Sequence, residues 1–529
     1  MLKGAGAVAG AFLSLSGLAA APAASCDATI DHVPVVVSAP GTYCLASDLQ
    51  YDGDGVAVLV AASSVVVDLQ GFTLSGTAGP GSGSVGIDSM GATNVTVRNG
   101  VVSGFRSAVL LEDGGFHLVS GVTATSNWYI GIAVAGPASA IQGCQVLSTG
   151  GSLQPDDTIP FGLASIGDGV VISDNLVKDV VPPPGGEAIG INLEPGSQPS
   201  VRRNVIANAA LVDSTWGIWT LATDDDIADN LFIRYSYGIA FAAPSTGAYS
   251  GNTFFNVPNP VALGGPSVVD LGNSVVHAFC EPIYALPWVI SAEGTYCLVR
   301  NLSTAIASGD AITVAASDVR LDLRGFKIGG GAAGPATQAI GIHAVDQRNV
   351  SVLNGNVRGF ASGVVLEDTS ADLSGGGHRV ERVLADENTT QGIHVQGRGA
   401  LVRRNQVVGT TGTGGGGTAD SFGIRVEGAL AHVIDNEVSG TVSGGTAYAV
   451  AVSSGRGSVV DHNRVSGAAG GASVGILFRS SPDATAAANR ILGTLAGLWF
   501  AGSSGTYRDN VTAGVATPYV GGTDAGHNN

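Results

Sequence analysis

The chain runs to 529 residues with 80 glycines, 45% apolar residues and only 12% charged ones, at a net charge of −18. Its mean hydropathy of +0.31 is opposite to the polar signature of disorder, and 24 basic against 42 acidic side chains leave no basic footprint for nucleic acid. Glycine at that density interrupts long helices, while Val, Ile and Thr recur in short runs that suit strands.

At the start, Lys3 opens a short positive region and Gly4 to Ala21 is weakly polar to apolar. Ala21, Ala23, Ala24 and Ser25 then supply the small residues of a signal-peptidase site just before Cys26. Residues 1–25 are therefore expected to be a signal peptide. A lipid-modified Cys26 is disfavoured, because Ala23-Ala24-Ser25 lacks the usual Leu three residues before the cysteine. No later segment reaches the ~18 consecutive apolar residues of a membrane span, so the expectation is an exported protein with no transmembrane segment.

Two halves follow, 26–278 and 279–529. Gly41-Thr42-Tyr43-Cys44-Leu45 returns as Gly294-Thr295-Tyr296-Cys297-Leu298, and Val67-Asp68-Leu69-Gln70-Gly71-Phe72 as Leu321-Asp322-Leu323-Arg324-Gly325-Phe326. Leu111-Glu112-Asp113 returns as Leu366-Glu367-Asp368, and the offset stays between 253 and 261 to the end. The mature chain reads as a tandem duplication. Cys26 and Cys44 are 18 apart and Cys280 and Cys297 are 17 apart, so the economical pairing staples the same entry loop twice. Cys144, whose equivalent is Asn405, is left over and reads as a buried free thiol.

Within each half runs a finer period. Gly-Ile or Gly-Leu recurs at Gly131, Gly162, Gly190, Gly217 and Gly238, then at Gly392, Gly423, Gly475 and Gly497. Between these, short strands end in Asn175, Asn204, Asn230 and Asn252, then Asn405, Asn436, Asn463, Asn489 and Asn510, spaced 21 to 31 apart. Short strands that alternate inward and outward side chains, coiled so that each turn pairs in parallel with the last, explain this period. Asn is expected to take left-handed angles at the corners and to ladder its amides between coils. The fold class is thus all-β, a parallel β-helix of around ten coils in each half at about 25 residues per coil.

With these motifs assembled, the sequence resembles secreted right-handed β-helix proteins of the pectin-lyase-like superfamily over residues 26–529. The resemblance implies a right-handed solenoid and says little about activity, since that superfamily spans lyases, hydrolases, epimerases, tailspikes and adhesins. Enzymes of the superfamily work on outward side chains along one face. The variable residue after each Gly-Ile pair should point that way, which singles out Asn192 and Trp219 in the first half and His394, Arg425 and Trp499 in the second. His394 and Arg425 would be stacked neighbours, a base beside a charge stabiliser in a lyase, or an ordinary solvated face.

Asp224-Asp225-Asp226 is the densest acidic run, close to Trp216, Trp219, Tyr235 and Tyr237. Asp225 and Asp226 would serve as catalytic carboxylates beside a stacked sugar; alternatively all three would hold Ca²⁺, the one cofactor the chain suggests. The plain alternative is a polar loop, with Trp216 and Tyr237 continuing a stack through Ile130, Phe161 and Ile189. Of the polygalacturonase-like elements only Asp-Asp has a match, at Asp225-Asp226, and the Asp-Pro-His-Asp of mannuronan epimerases is absent. Glu112-Asp113 and Glu367-Asp368 mark two equivalent sites or a repeated turn. Arg320, Asp322 and Arg324 should face outward together as surface ion pairs. Asp52-Gly53-Asp54-Gly55 resembles part of a calcium loop, but the second half does not repeat it.

Charge separates the halves: residues 26–279 hold 6 basic and 22 acidic side chains, residues 280–529 hold 17 and 20. An anionic chain would prefer the second half. The expectation is a secreted β-helix protein recognising polysaccharide on its outward face. If it is an enzyme, a polysaccharide lyase or glycoside hydrolase is expected; the alternative is a non-catalytic cell-surface structural or adhesion protein.

Overall fold

A computed structural model of the protein describes residues 26–263, 267–370, 373, 375–411 and 419–529. The expected signal peptide lies outside them. The described residues are almost entirely strand, with a single 3-10 turn at Gly331–Ala333 as the only helical element among them. They form two compact units that divide between Ala278 and Phe279, each with its own apolar core.

Each coil consists of three short strands. In the first unit Ala140–Gln142, Gln145–Thr149 and Phe161–Ile166 make one coil, and each pairs in parallel with its counterpart in the next: Val171–Ser173, Leu176–Val180 and Ala188–Leu193. Parallel pairing throughout makes both units β-solenoids. In the second unit one face is a sheet of ten parallel strands running from Trp288–Ile290 to Thr517–Val520.

Alternation sends Val, Ile and Leu inward, where they stack from coil to coil. The glycine of each Gly-Ile pair is fixed by close approach. A Cβ on Gly162 would lie 2.5 Å from Val177 Cγ1 and 2.6 Å from the Gly190 carbonyl oxygen.

Buried asparagines form a ladder in each unit. Asn175 Nδ2 donates to Asn204 Oδ1 at 3.0 Å, Asn204 to Asn230 at 3.0 Å, and Asn230 to Asn252 at 3.1 Å. The second unit repeats this through Asn405, Asn436, Asn463, Asn489 and Asn510 at 2.9–3.0 Å. The second Nδ2 hydrogen of each is donated to a backbone carbonyl of the preceding coil, as that of Asn436 is to Val402 at 2.9 Å. One expectation is corrected here. The left-handed angle falls on the residue before the asparagine, Asp174 (φ 61°), Arg203 (57°), Arg404 (56°) or Asp435 (56°) among them, which turns the asparagine itself inward.

Cys26–Cys44 and Cys280–Cys297 are disulfides with Cα–Cα distances of 5.8 Å. Cys144 is a buried free thiol, pushed up to about 11 by burial. It stands at the head of the first ladder: its N–H donates to Asn175 Oδ1 at 2.8 Å, as the Asn405 N–H donates to Asn436 Oδ1 at 2.9 Å. No helix among the described residues is long and apolar enough to cross a membrane.

Candidate functional site

In the second unit the outward positions of the ten-stranded sheet gather the richest chemistry. The strands Asp310–Val314, Ile340–Val345, Ser362–Glu367, Gln391–Gln396 and Ser421–Glu427 align Thr313, His343, Val365, His394 and Arg425 in one row across the sheet. Neighbouring rungs are about 4.8 Å apart. His394 and Arg425 are thus neighbours in register, but His394 is almost wholly shielded, its side chain 4% exposed.

Glu427 lies in the gap between them. Its Oε1 is 3.3 Å from His394 Nε2 and 2.5 Å from an Arg425 guanidinium nitrogen. The hydrogen bond from His394, ahead of the opposing effect of burial, holds the Glu427 carboxyl down at about 2. Arg425 also lies over the Phe422 ring at 5.1 Å, and Phe422 stacks on Tyr448 with centroids 5.1 Å apart at 12°.

On the other side, Glu367 stands between two imidazoles. Its carboxylate is 3.7 Å from His343 Nε2 and 4.0 Å from His394 Nδ1, and neither nitrogen has a hydrogen-bond partner among the described residues. His343 Nδ1 donates to Asp310 Oδ1 at 3.0 Å. Asp310, His343, Glu367, His394, Glu427 and Arg425 therefore form one alternating row of acid and base. Sequence reading missed Asp310 and His343, although Gly341-Ile342-His343 spells the same Gly-Ile-x motif as Gly392-Ile393-His394.

The first unit carries a different face. Asn192 and Trp219 are in register, and Ile130, Phe161, Ile189, Trp216 and Tyr237 form the adjoining column. Trp216 stacks on Tyr237 at 4.0 Å and meets Trp219 edge-on at 5.0 Å. Asn192 is nearly buried and donates from Nδ2 to Glu194 Oε1 at 2.7 Å. Asp88 takes the place that His343 has in the second unit, next to the rung of Glu112 as His343 is next to that of Glu367. Burial, with the Glu112 charge second, raises the Asp88 carboxyl to about 6.

The acidic run is divided where the sequence reading had gathered it. Strand alternation turns Asp225 inward, 2% exposed, to accept from Thr220 Oγ1 at 3.0 and 3.2 Å, and burial raises it to about 7. Asp226 points outward onto the Arg202 guanidinium, with Nε at 3.0 Å. Asp224 sits at a left-handed corner (φ 56°) against Thr246. The structure does not bring the three carboxylates together, and among the described residues no group of three or more His, Cys, Asp or Glu side chains is arranged to hold a metal ion. Trp499 is 37% exposed and lies three rungs beyond Arg425, separated by Ala451 and Leu477. Asp54 accepts from the Gly83 N–H and ties its loop to that of the next coil. Arg320 and Asp322 approach to only 3.9 Å.

Strand order, register and duplicated motifs define the chain as a parallel β-solenoid built of two units. No family model and no curated protein matches it. Among solved structures it is similar to the A-module of a mannuronan C-5 epimerase from Azotobacter vinelandii, at 12% identity and a TM-score of 0.19 over 90% of this chain and 91% of that one. A PL6 family alginate lyase aligns at 10% identity and a TM-score of 0.20, covering 91% and 96% of the two chains. The Dettilon tailspike protein aligns at 11% identity and a TM-score of 0.18, over 94% of this chain and 60% of the tailspike.

Proposed function

We propose that the protein is exported after loss of residues 1–25 and recognises polysaccharide along the outward sheet faces of its units. The observation that carries this reading is the pairing, on one face, of a guanidinium with a stacked aromatic pair. Arg425 lies over the partly exposed Phe422, which backs onto the buried Tyr448, and the acid–base row adjoins them. Sugar rings offer apolar faces to aromatics and hydroxyls or carboxylates to such polar groups. Trp216, Trp219 and Tyr237 supply a stacking surface of the same kind in the first unit.

Cleavage, if the protein performs it, belongs in this reading to the second unit. Asp310 fixes the His343 ring, whose Nε2 is enclosed 3.7 Å from the Glu367 carboxylate, so the groups of this row open to a ligand are Glu367 and Arg425. Arg425 would meet developing negative charge. His394 is too shielded to reach a ligand and acts by holding Glu427.

The test is the purified protein on a panel of neutral and anionic polysaccharides, with and without Ca²⁺, reading binding, unsaturated ends and new reducing ends. Binding that Arg425→Ala or Trp219→Ala weakens tenfold or more supports the reading. Unsaturated ends identify a lyase, reducing ends alone a hydrolase. Binding to nothing on the panel would replace the proposal with the structural or adhesion role.

A further inference from the structure

Successive coils turn one corner through a residue with left-handed backbone angles, and these corners stack into a ridge along each unit. In the first unit the ridge reads Gln70, Asn99, Gly121, Gly143, Asp174 and Arg203, with φ between 55° and 62°. In the second it reads Arg324, Asn354, Arg382, Arg404, Asp435 and His462, with φ between 51° and 56°. Register ties the two series together, since Val67, Val97, Val119, Ile141 and Ile172 stack as Leu321, Val352, Val380, Val402 and Val433 do.

At two successive corners, then, the first unit has glycine, the residue such angles favour, and the second has arginine. Both side chains are more than half exposed, Arg382 tied to Asn354 and Glu381 and Arg404 only loosely to Asp435, so their guanidinium groups stay open to an anion. Arg382 and Arg404 line an open groove of about 570 Å³ together with Gly325, Asn354 and Gln406. Arg382 Nε donates to Asn354 Oδ1 at 2.6 Å, which holds the guanidinium at the rim. Lys327 is in register with Asn356, Leu384 and Gln406, which line the same groove.

Charge on these coils is unbalanced. Arg379, Arg382 and Arg403 all converge on one fully buried carboxylate, Glu381. Among the described residues Arg324 and Lys327 have no ion pair, and Arg404 has only a 3.7 Å contact to Asp435. In the first unit, by contrast, the ridge arginine Arg203 is held by Asp174 through two hydrogen bonds of 2.8 Å.

We propose that this ridge and its groove are a second binding site, distinct from the sheet face, for an extended polyanionic glycan lying along the solenoid axis. Arginines repeat at the coil spacing of about 4.8 Å, the scale on which an extended uronate chain repeats its carboxylates, and a guanidinium pairs with a carboxylate through two parallel hydrogen bonds. The proposal takes its class of polymer from the polysaccharide reading; the position of the site does not depend on it.

The test compares polygalacturonate, dextran and inorganic polyphosphate by titration calorimetry on the full protein at two salt concentrations. The double variant Arg382→Gly and Arg404→Gly restores the first unit's corner residues and should fold at least as well. Glu381 keeps Arg379 and Arg403 in it. We expect it to lose tenfold or more in affinity for polygalacturonate, with dextran binding unchanged. Wild-type affinity for polygalacturonate should fall with salt. Undiminished polygalacturonate binding by the double variant overturns the ridge site, and loss in Arg425→Gln instead would leave the sheet-face reading standing. Polyphosphate binding as tight as polygalacturonate would overturn the glycan assignment. Absence of glycan binding by the wild type would overturn both readings.

Discussion

Cys144 and Asn405 stand at the same place in the two units, and their difference can be read atom by atom. Asn405 Oδ1 accepts from the Val383 N–H at 3.0 Å and its Nδ2 donates to Val380 at 2.9 Å and to Asn436 at 3.0 Å. The thiol of Cys144 offers only weak contacts of 3.5 Å to the Val119 and Gln142 carbonyls. Cys144→Asn should therefore extend the first ladder by one rung and stabilise the protein by about 1 kcal/mol, measured as a higher denaturant midpoint. A lower midpoint would show that the apolar fit of the sulfur outweighs those bonds.

Two carboxyls pull the pH dependence in opposite directions. Burial raises Asp225 to about 7, so its folded form prefers the proton; its contribution is intact below the unfolded value near 4 and is lost as pH rises through 7. Asp225→Asn keeps the polar partner of Thr220 and should gain roughly 2–4 kcal/mol at pH 8 with no gain at pH 4. Glu427 is lowered to about 2 by His394, so its contribution is present above the unfolded value of 4.5 and disappears as pH falls to 2. Glu427→Gln should cost roughly 2–3 kcal/mol at neutral pH and little at pH 2. Equal effects of either substitution at both pH values would contradict these assignments.

At the scale of elements, the asparagine ladders convert three-strand coils into a continuous polar spine. A middle rung is the costly one to remove. Asn436→Ala strips acceptors from the Asn405 N–H and Nδ2 and donors from Val402 and Asn463, all of them buried. The loss should be about 3 kcal/mol. Asn528, at the half-exposed end of the same ladder, should cost under ~1 kcal/mol when replaced by Ala. Equal destabilisation would mean that the rungs act independently of burial.

The same elements show what the sequence could and could not disclose. Coil period, strand alternation, the disulfides and the ladder asparagines were legible because each repeats and each answers to local geometry. The residue that takes the left-handed angle was misplaced by one, because the repeating asparagine is the stronger turn signal and the Asp, Arg, His or Ala before it does not repeat, its corner being imposed by stacking. The outward register of Asn192–Trp219 and His394–Arg425 followed from the two-residue period. What the period could not supply was depth. His394 points outward yet is covered, since shielding depends on the lengths of Glu367, Arg425 and Glu427 on neighbouring rungs. Asp225 was read as a surface carboxylate because three consecutive aspartates look solvated, although alternation in a strand must turn one of them against its neighbours.

The whole molecule joins two units of one architecture and unequal charge. Residues 26–279 carry 22 acidic side chains against 6 basic, residues 280–529 carry 20 against 17. Self-repulsion at low ionic strength therefore opposes compaction of the first unit far more than of the second. At about 10 mM salt the Debye length is about 30 Å, and at about 1 M it shrinks to 3 Å, which removes most of that repulsion. Calorimetry across this range should show the transition of the first unit rising by several degrees while that of the second barely moves. Trp128, Trp216 and Trp219 report the first unit, Trp288 and Trp499 the second, so replacing either set with Phe assigns the fluorescence-detected transitions. Two transitions that move together with salt would show that the acidic side chains of the first unit are already neutralised locally, as Asp226 is by Arg202 and Asp157 by Arg106. Divergent transitions would leave the first unit as a surface that repels polyanions and the arginine-bearing coils of the second as the place where such a chain can approach.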